Sequence, residues 1–582
     1  MSSDDLAPLG RAQRMRTASV ALAVIGVVSL ALRFVSLAVV AAHFGAGVDT
    51  DVLFLGQLLP VMLGFHARSV LHLSLVPKFV ATRSGEGQAS AWRLATSFAN
   101  LALGSLLLLA AGYALAAPLG ARWLPGLDAH AVGRFVRITR IVTPVMVLFP
   151  AFALAEALLY SYQRFTTAAL ATLLPSAGLI VGVVVLAPTL GVDGAAWGLV
   201  SGYAAQALMV LPLLAPYHRH LRLRIEWRSE ALREVLRQVT PTAIFSLAVV
   251  AGFVVASLLA SRLGPGRVAA FRYGTSVLIV LPTLVQGSLV SPLYPRMAAL
   301  AAAGDTARLR ELVVTFVRIA SVVLMPITAL VIVLREPMVG ALFLRGRFTA
   351  ESARLTSQVV LGFAPWIAAI VLNQVPTYLA MSLGEARRVA FMVVTLLAPM
   401  TAVGYALARW WDVGGIALAF SINAWVSLPL LLLVLRRRLG RLGMVALARA
   451  SVRPAFAAAL MALAIVPCER WVARWLAAHG SLAGFDLTSL SVAHLIETSV
   501  LGALGMACYL VLARLLGMPE LSRLGEWLRQ PPIPPAGPTP ATDAAGVAPD
   551  ASREPSERAV ALADPADPAP AGTSRALAPT KP

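Results

Sequence analysis

Acidic residues are scarce in this chain. Asp and Glu together number 28 in 582 residues, all charged residues make up 13%, and 58% of the chain is hydrophobic, with a mean hydropathy of +0.79. A soluble domain does not carry that balance. Apolar runs of about 18 or more residues recur along the chain, each long enough to cross a hydrocarbon core of roughly 30 Å. The short alternating segments of a β-barrel are missing, so the expected class is an all-α polytopic membrane protein. Cysteine is nearly absent as well. Cys468 and Cys508 lie in apolar segments without a pairing pattern, so they do not report a redox compartment. The first apolar segment, 21–40, is too long for a signal-peptide core and no small-residue cleavage site ends it, which predicts no cleaved leader.

Reaction motifs are missing too. The sequence holds no Walker A loop, HExxH, CxxC or nucleophile elbow, and no His–carboxylate pair at metal-ligand spacing on one helix face. This argues against an enzyme, a nucleotide-hydrolysing pump or a membrane protease, and predicts neither metal nor cofactor. Uphill movement of a substrate would have to draw on an ion gradient, the membrane potential or consumption of the product.

What is plentiful is arginine. Lys and Arg number 48, for a net charge of +20. They gather in alternate loops: Arg11, Arg14 and Arg16; Lys78, Arg83 and Arg93; Arg219 to Arg237; Arg387 and Arg388; Arg436 to Arg441. That pattern is a topology signal rather than a nucleic-acid footprint, and it predicts a multi-pass membrane protein with both termini cytoplasmic. Arg335, Arg345 and Arg347 fall on the opposite side. The segment REPMVGALFLRGRFT around them is expected to lie along the outer interface.

About fourteen spans are expected, arranged as a parallel repeat. FGAG at Phe44–Gly47 returns as LGPG at Leu263–Gly266, LVPKF at Leu75–Phe79 as LYPRM at Leu293–Met297, and VDGAAWGL at Val192–Leu199 as VGGIALAF at Val413–Phe420. The offsets are all near 220 residues, and six spans separate the copies, as in transporters built from two equivalent lobes. The predicted organisation is a cytoplasmic N-terminus at 1–17, an N-lobe at 18–218, a basic linker at 219–237, a C-lobe at 238–441, two extra spans at 450–516, an amphipathic helix at 517–530 and a disordered Pro/Ala-rich tail at 531–582.

Polar groups inside the spans mark the candidate site. Arg33 stands in the middle of ALAVIGVVSLALRFVSLAVV, where an arginine costs about 2.5–3.5 kcal/mol to insert. Two readings of it stand. It snorkels or pairs with a carboxylate such as Asp51, or it faces a wet cavity and attracts an anion. His66, Arg68 and His72 on the second span, with Arg267 and Arg272 on the eighth, would line the same cavity, and guanidinium suits a phosphate-bearing substrate. Ser29, Asp51 and Glu156 are its candidate polar and acidic members. Glu156 reads equally as a protonatable coupling site and as a packing residue. Asn373, Gln374 and Pro376 suggest a local break in the tenth span.

The chain resembles the MurJ/MviN family of lipid II flippases, within the superfamily of multidrug and oligosaccharidyl-lipid exporters. The residues that carry the likeness are FGAGVDTD at Phe44–Asp51, LVPKF, LPGL at Leu124–Leu127, YSYQRFTTAAL at Tyr160–Leu170 and GALFLRGRFTAESARLT at Gly340–Thr356. The likeness runs from about Ser19 to Leu435 and more weakly beyond. It implies a location in the bacterial inner membrane and alternating access for a lipid-linked, pyrophosphate-bearing peptidoglycan precursor, with the pyrophosphate among cavity arginines and the lipid tail, among membrane lipids, along a groove that reaches the last two helices. It also implies a monomer served by envelope glycan synthesis enzymes. The family's cavity cations are absent at their usual places. Ser29-Leu30, Val35-Ser36-Leu37, Leu63–Phe65 and Thr275-Ser276 stand there instead, and only Asp51 matches. Arg33, Arg68 and Arg272 each sit within about a turn of a lost cation and are read as relocated substitutes. The departures leave other readings open: a flippase for another lipid-linked saccharide, such as an exopolysaccharide or O-antigen unit, or a non-transporting scaffold of an envelope assembly complex. A cationic cavity argues against an exporter of cationic drugs.

Overall fold

A computed structural model of the chain describes residues 3–122, 124, 128–162, 164–220, 225–285, 293–440, 444–478, 481–482, 485–486 and 490–518. The expected amphipathic helix and tail beyond Met518 lie outside the described residues. Within them the chain is almost wholly helical, because a backbone in hydrocarbon must satisfy its polar groups internally. The N-terminal half comprises α1 (Ser3–Phe44), α2 (Val48–Glu86), α3 (Gln88–Ala121), α4 (Ala129–Val142), α5 (Val145–Ser161), α6 (Thr166–Ala171), α7 (Leu174–Val181), α8 (Ala187–Leu190) and α9 (Val192–Val210). The second half comprises α10 (Glu230–Leu263), α11 (Arg267–Leu278), α12 (Val280–Val285), α13 (Leu293–Ala302), α14 (Thr306–Phe343), α15 (Ala350–Ser382) and α16 (Ala386–Leu439), followed by α17 (Met444–Ala478) and α18 (Leu490–Leu515).

Among the described residues, twelve helices are long and apolar enough to cross a membrane. The sequence suggested about fourteen spans, and the difference has two sources. The eleventh and twelfth spans are joined in α16, a 54-residue element bent at Trp411 and Asp412. The eighth, 270–298, is interrupted in the structure and runs over 286–292, outside the described residues. Two other expectations are corrected. REPMVGALF is not a separate segment: it completes α14, with Pro337, Val339, Gly340 and Phe343 buried. The tenth span is not broken at Asn373. α15 runs on, and the Asn373 amide donates to the Ala424 carbonyl at 2.9 Å, stitching α15 to α16.

The repeat is visible in backbone geometry. Gly191, before α9, has φ 59° and ψ −140°, and Asp412, about 220 residues later, has φ 50° and ψ −142°. Glycine also sets the closest packing in the N-lobe. A Cβ at Gly178 would lie 2.6 Å from the Cα of Gly202, so α7 and α9 meet backbone to backbone, the small-residue packing that membranes favour. The α17–α18 pair packs on α14, where the Tyr509 hydroxyl donates to the Val322 carbonyl at 2.8 Å.

The two halves meet at both ends of the bundle. At one end, the turn end, lie the α1–α2 and α10–α11 turns. The loop after α14 joins them, with the Arg347 amide donating to the Ala42 carbonyl at 2.8 Å. At the other end, the first turns of α10 dock on the N-lobe. Leu232 and Val235 pack with Leu71, Leu75 and Phe98, and Lys78 pairs with Glu234.

Candidate functional site

The turn end is built around Asp51. Gly47 and Thr50 start α2, with the Gly47 amide donating to the Thr50 hydroxyl at 2.9 Å. The Asp51 carboxylate, 3% exposed, turns away from its own helix toward the other half. It accepts from the Gly266 amide at 2.6 Å and the Ala269 amide at 2.7 Å, at the start of α11. The first turn of α11 holds no acidic residue and begins with Arg267, so its free amides and positive dipole end lack an anion of their own. Asp51 supplies it from across the seam. Gly266 is left-handed, φ 81°, and a Cβ there would lie 2.6 Å from the Ala46 carbonyl oxygen. Tyr273 donates its hydroxyl to the Gly45 carbonyl at 3.2 Å. Asp51 is therefore not the partner of Arg33. Arg267, placed in the cavity by the sequence, pairs instead with Asp412 at 3.2 Å.

Deeper in the bundle two arginines lie within electrostatic range of each other. Arg33 is eleven residues from the end of α1, about 16 Å at the helical rise. Arg272 lies in the second turn of α11. Their charges act on each other and on the buried hydroxyl of Tyr203, on α9. Neither guanidinium has a carboxylate within ion-pair distance among the described residues. Arg272 also lines a narrow cleft of about 20 Å³ between the halves, with Phe54, Leu58 and Met62 of α2 and Ser257 of α10. Two guanidiniums with no carboxylate partner among the described residues leave positive charge uncompensated between the halves.

The other predicted members are placed elsewhere. Arg68 holds Glu156 in a two-pronged pair, Nη2 to Oε1 at 2.7 Å, with Glu156 wholly buried between α2 and α5. Both are thus committed between α2 and α5, where Tyr160 also bonds to the pair. Ser29 bonds the Thr172 hydroxyl at 3.0 Å. Thr172 spends its own hydrogen on the Ala169 carbonyl, so Ser29 is the donor, and it ties α1 to α6. His66 packs edge-on to Phe65 and makes no hydrogen bond among the described residues. The side chain of His72 lies outside the described residues. Sequence reasoning missed Tyr203 and Asp412. Tyr203 sits in an unremarkable apolar run. Asp412 was findable, since it stands where the other repeat has Gly191. Among the described residues no cluster of three or more His, Cys, Asp or Glu could hold a metal ion.

A repeated two-lobed helical bundle whose halves meet at both ends, with two arginines that have no carboxylate partner among the described residues, has the architecture of a polytopic membrane transporter. A solved multidrug resistance MATE family transporter of the MOP superfamily, in an inward-facing conformation, matches 71% of this chain and 95% of its own with a TM-score of 0.60 at 16% identity. A solved lipid II flippase MurJ, in an inward closed conformation, matches 85% of this chain and 98% of its own with a TM-score of 0.66 at 14% identity. The profile of the family described as lipid II flippase MurJ matches residues 40–481, and the chain belongs to that family. The lipid II flippase MurJ of Burkholderia cenocepacia is 24% identical over 421 residues, 69% of this chain and 79% of that protein. The probable lipid II flippase MurJ of Bdellovibrio bacteriovorus is 24% identical over 464 residues, 78% of this chain and 86% of that protein. A flippase moves its cargo without chemical change, so the chain is a transporter rather than an enzyme.

Proposed function

We propose that this protein carries lipid II, a lipid-linked pyrophosphate, from the cytoplasmic to the periplasmic leaflet of the bacterial inner membrane by alternating access. The observation that carries the reading is the pair Arg33–Arg272. Two guanidiniums without a carboxylate partner among the described residues match a pyrophosphate, and the Tyr203 hydroxyl lies within their electrostatic range. They lie below a seam held by Asp51 and Gly266. By the distribution of basic loops, the turn end is periplasmic and both termini are cytoplasmic. The headgroup then enters from the cytoplasmic side, stops beneath the closed seam and leaves when that seam opens. The membrane potential or an ion gradient supplies the bias. Envelope glycan synthesis enzymes supply the lipid-linked glycan, and one chain holds both lobes of the site.

Binding of purified lipid II to the protein in nanodiscs tests this. Arg33→Ala and Arg272→Ala should each weaken binding about 10- to 100-fold, the worth of a charge-assisted hydrogen bond of roughly 1.5–3 kcal/mol. Wild-type affinity in the double variant would overturn the assignment.

A further inference from the structure

We infer that Asp412 is a positioning residue for closure between the lobes: through Arg267 it fixes the start of α11 where Asp51 can cap it. The inference rests on the alternating-access reading above, and its test does not involve the substrate.

Asp412 is the one non-glycine residue with positive φ among the described residues. Its repeat counterpart, Gly191, holds nearly the same dihedrals without a side chain to strain. A carboxylate kept in a backbone conformation that glycine takes more easily points to a task for the side chain. Two contacts define that task. Oδ1 accepts from the Val413 amide at 2.7 Å, which starts the second part of α16. Oδ2 accepts from Nη2 of Arg267 at 3.2 Å. Arg267 also donates to the Pro265 carbonyl at 3.1 Å, so it ties the α10–α11 turn to the α16 bend.

The charge argument runs the same way. Arg267 is the first residue of α11, where the helix dipole disfavours a cation. Asp412 offsets that on the C-lobe side while Asp51 meets the amides from the N-lobe side. The neighbouring charges on α15, Glu351 and Arg354, pair with each other at 2.6 Å and also act on Arg267 and Asp412 respectively, so the four charges form one cluster around the start of α11. One residue before Arg267, Gly266 sits against Ala46 of the other lobe. A shift of Arg267 therefore moves the seam directly.

The experiment reads closure at position 46. In the full chain with Cys468→Ser and Cys508→Ser, Ala46→Cys reports the seam through its rate of reaction with a membrane-impermeant maleimide in nanodiscs. Asp412→Asn keeps the Val413 cap and tolerates the left-handed backbone but loses the charge. Asp412→Gly relaxes the backbone and loses the side chain. Both should raise the labelling rate at least threefold without lowering the thermal midpoint. Arg267→Gln should do the same, Arg267→Lys should restore most of the wild-type rate, and Arg267→Gln with Asp412→Asn should exceed neither single change. A wild-type rate in Asp412→Asn, or a rise that only follows lost stability, would overturn the inference. If the Asp412 variants fail to fold, the contrast between Arg267→Gln and Arg267→Lys decides it alone: equal rates overturn it.

Discussion

Asp51 and Ala269 belong to different halves of the chain, and the carboxylate of the first lies 2.7 Å from the backbone amide of the second. One lobe thus supplies the N-cap that a helix of the other lobe lacks. The bond exists only while the lobes are together at the turn end, so it stabilises one conformation of the transporter over another. Asp51→Ala removes it. Loss of an N-cap costs about 0.5–2 kcal/mol, a shift of roughly 2- to 30-fold in the balance of states. Spin labels on the α1–α2 turn and on the 344–349 loop should show a new, longer distance population in this variant. An unchanged distance distribution would mean that Asp51 does not hold the seam.

The pair Arg68–Glu156 predicts an asymmetry. Glu156 is wholly buried, whereas the Arg68 side chain is 36% exposed. Removing the arginine strands a charge that has no access to water, and removing the carboxylate strands one that does. Breaking a buried pair costs about 3–5 kcal/mol, so Arg68→Ala should approach that loss while Glu156→Gln loses clearly less. The double variant should recover much of the Arg68→Ala loss. Thermal unfolding of the purified variants decides it, and equal losses in the two single variants would contradict the assignment.

Glu385, in the turn between α15 and α16, gives a pH signature. Its side chain is 4% exposed and accepts from Nε of Arg438 at 2.9 Å and from Arg388. The Arg438 hydrogen bond and the two guanidinium charges hold its carboxyl below the usual carboxylate range. A carboxyl lowered in the folded state adds stability above its unfolded value of about 4.3, and that stability is lost as pH falls through the lower folded value. Glu385→Gln should therefore be less stable than wild type at pH 7, and the gap should close below about pH 4. A gap of the same size at pH 3.5 and pH 7 would show that the carboxylate charge is not the source.

Much of the fold was legible because apolar length is written directly in sequence. The Arg33-containing run forms α1, and the runs around FGAG and LGPG end where those turns begin. The repeat was legible from the same turns. The eleventh and twelfth spans were legible as two runs on either side of Arg409–Asp412, where the backbone of α16 leaves the helical region. The site was legible only in part. Arg33 and Arg272 stood out because arginine is costly in an apolar run, yet nothing local distinguishes them from Arg68, whose partner Glu156 lies 88 residues away. Asp51 was visible as an acid after a glycine turn. Its role was not, because its partners are backbone amides in the other lobe. Such pairings arise from packing between distant segments, which composition and periodicity do not encode.

The most direct test of the central claim is a functional rescue. The resident lipid II flippase of a bacterial host is depleted, this chain is expressed, and lipid II exposed on the outer leaflet is measured. The account predicts that the wild-type chain restores exposure and growth, and that the Arg33→Ala/Arg272→Ala variant, at equal membrane level, restores neither. A well-expressed wild-type chain that exposes no lipid II, or a double variant that exposes as much as wild type, would contradict it.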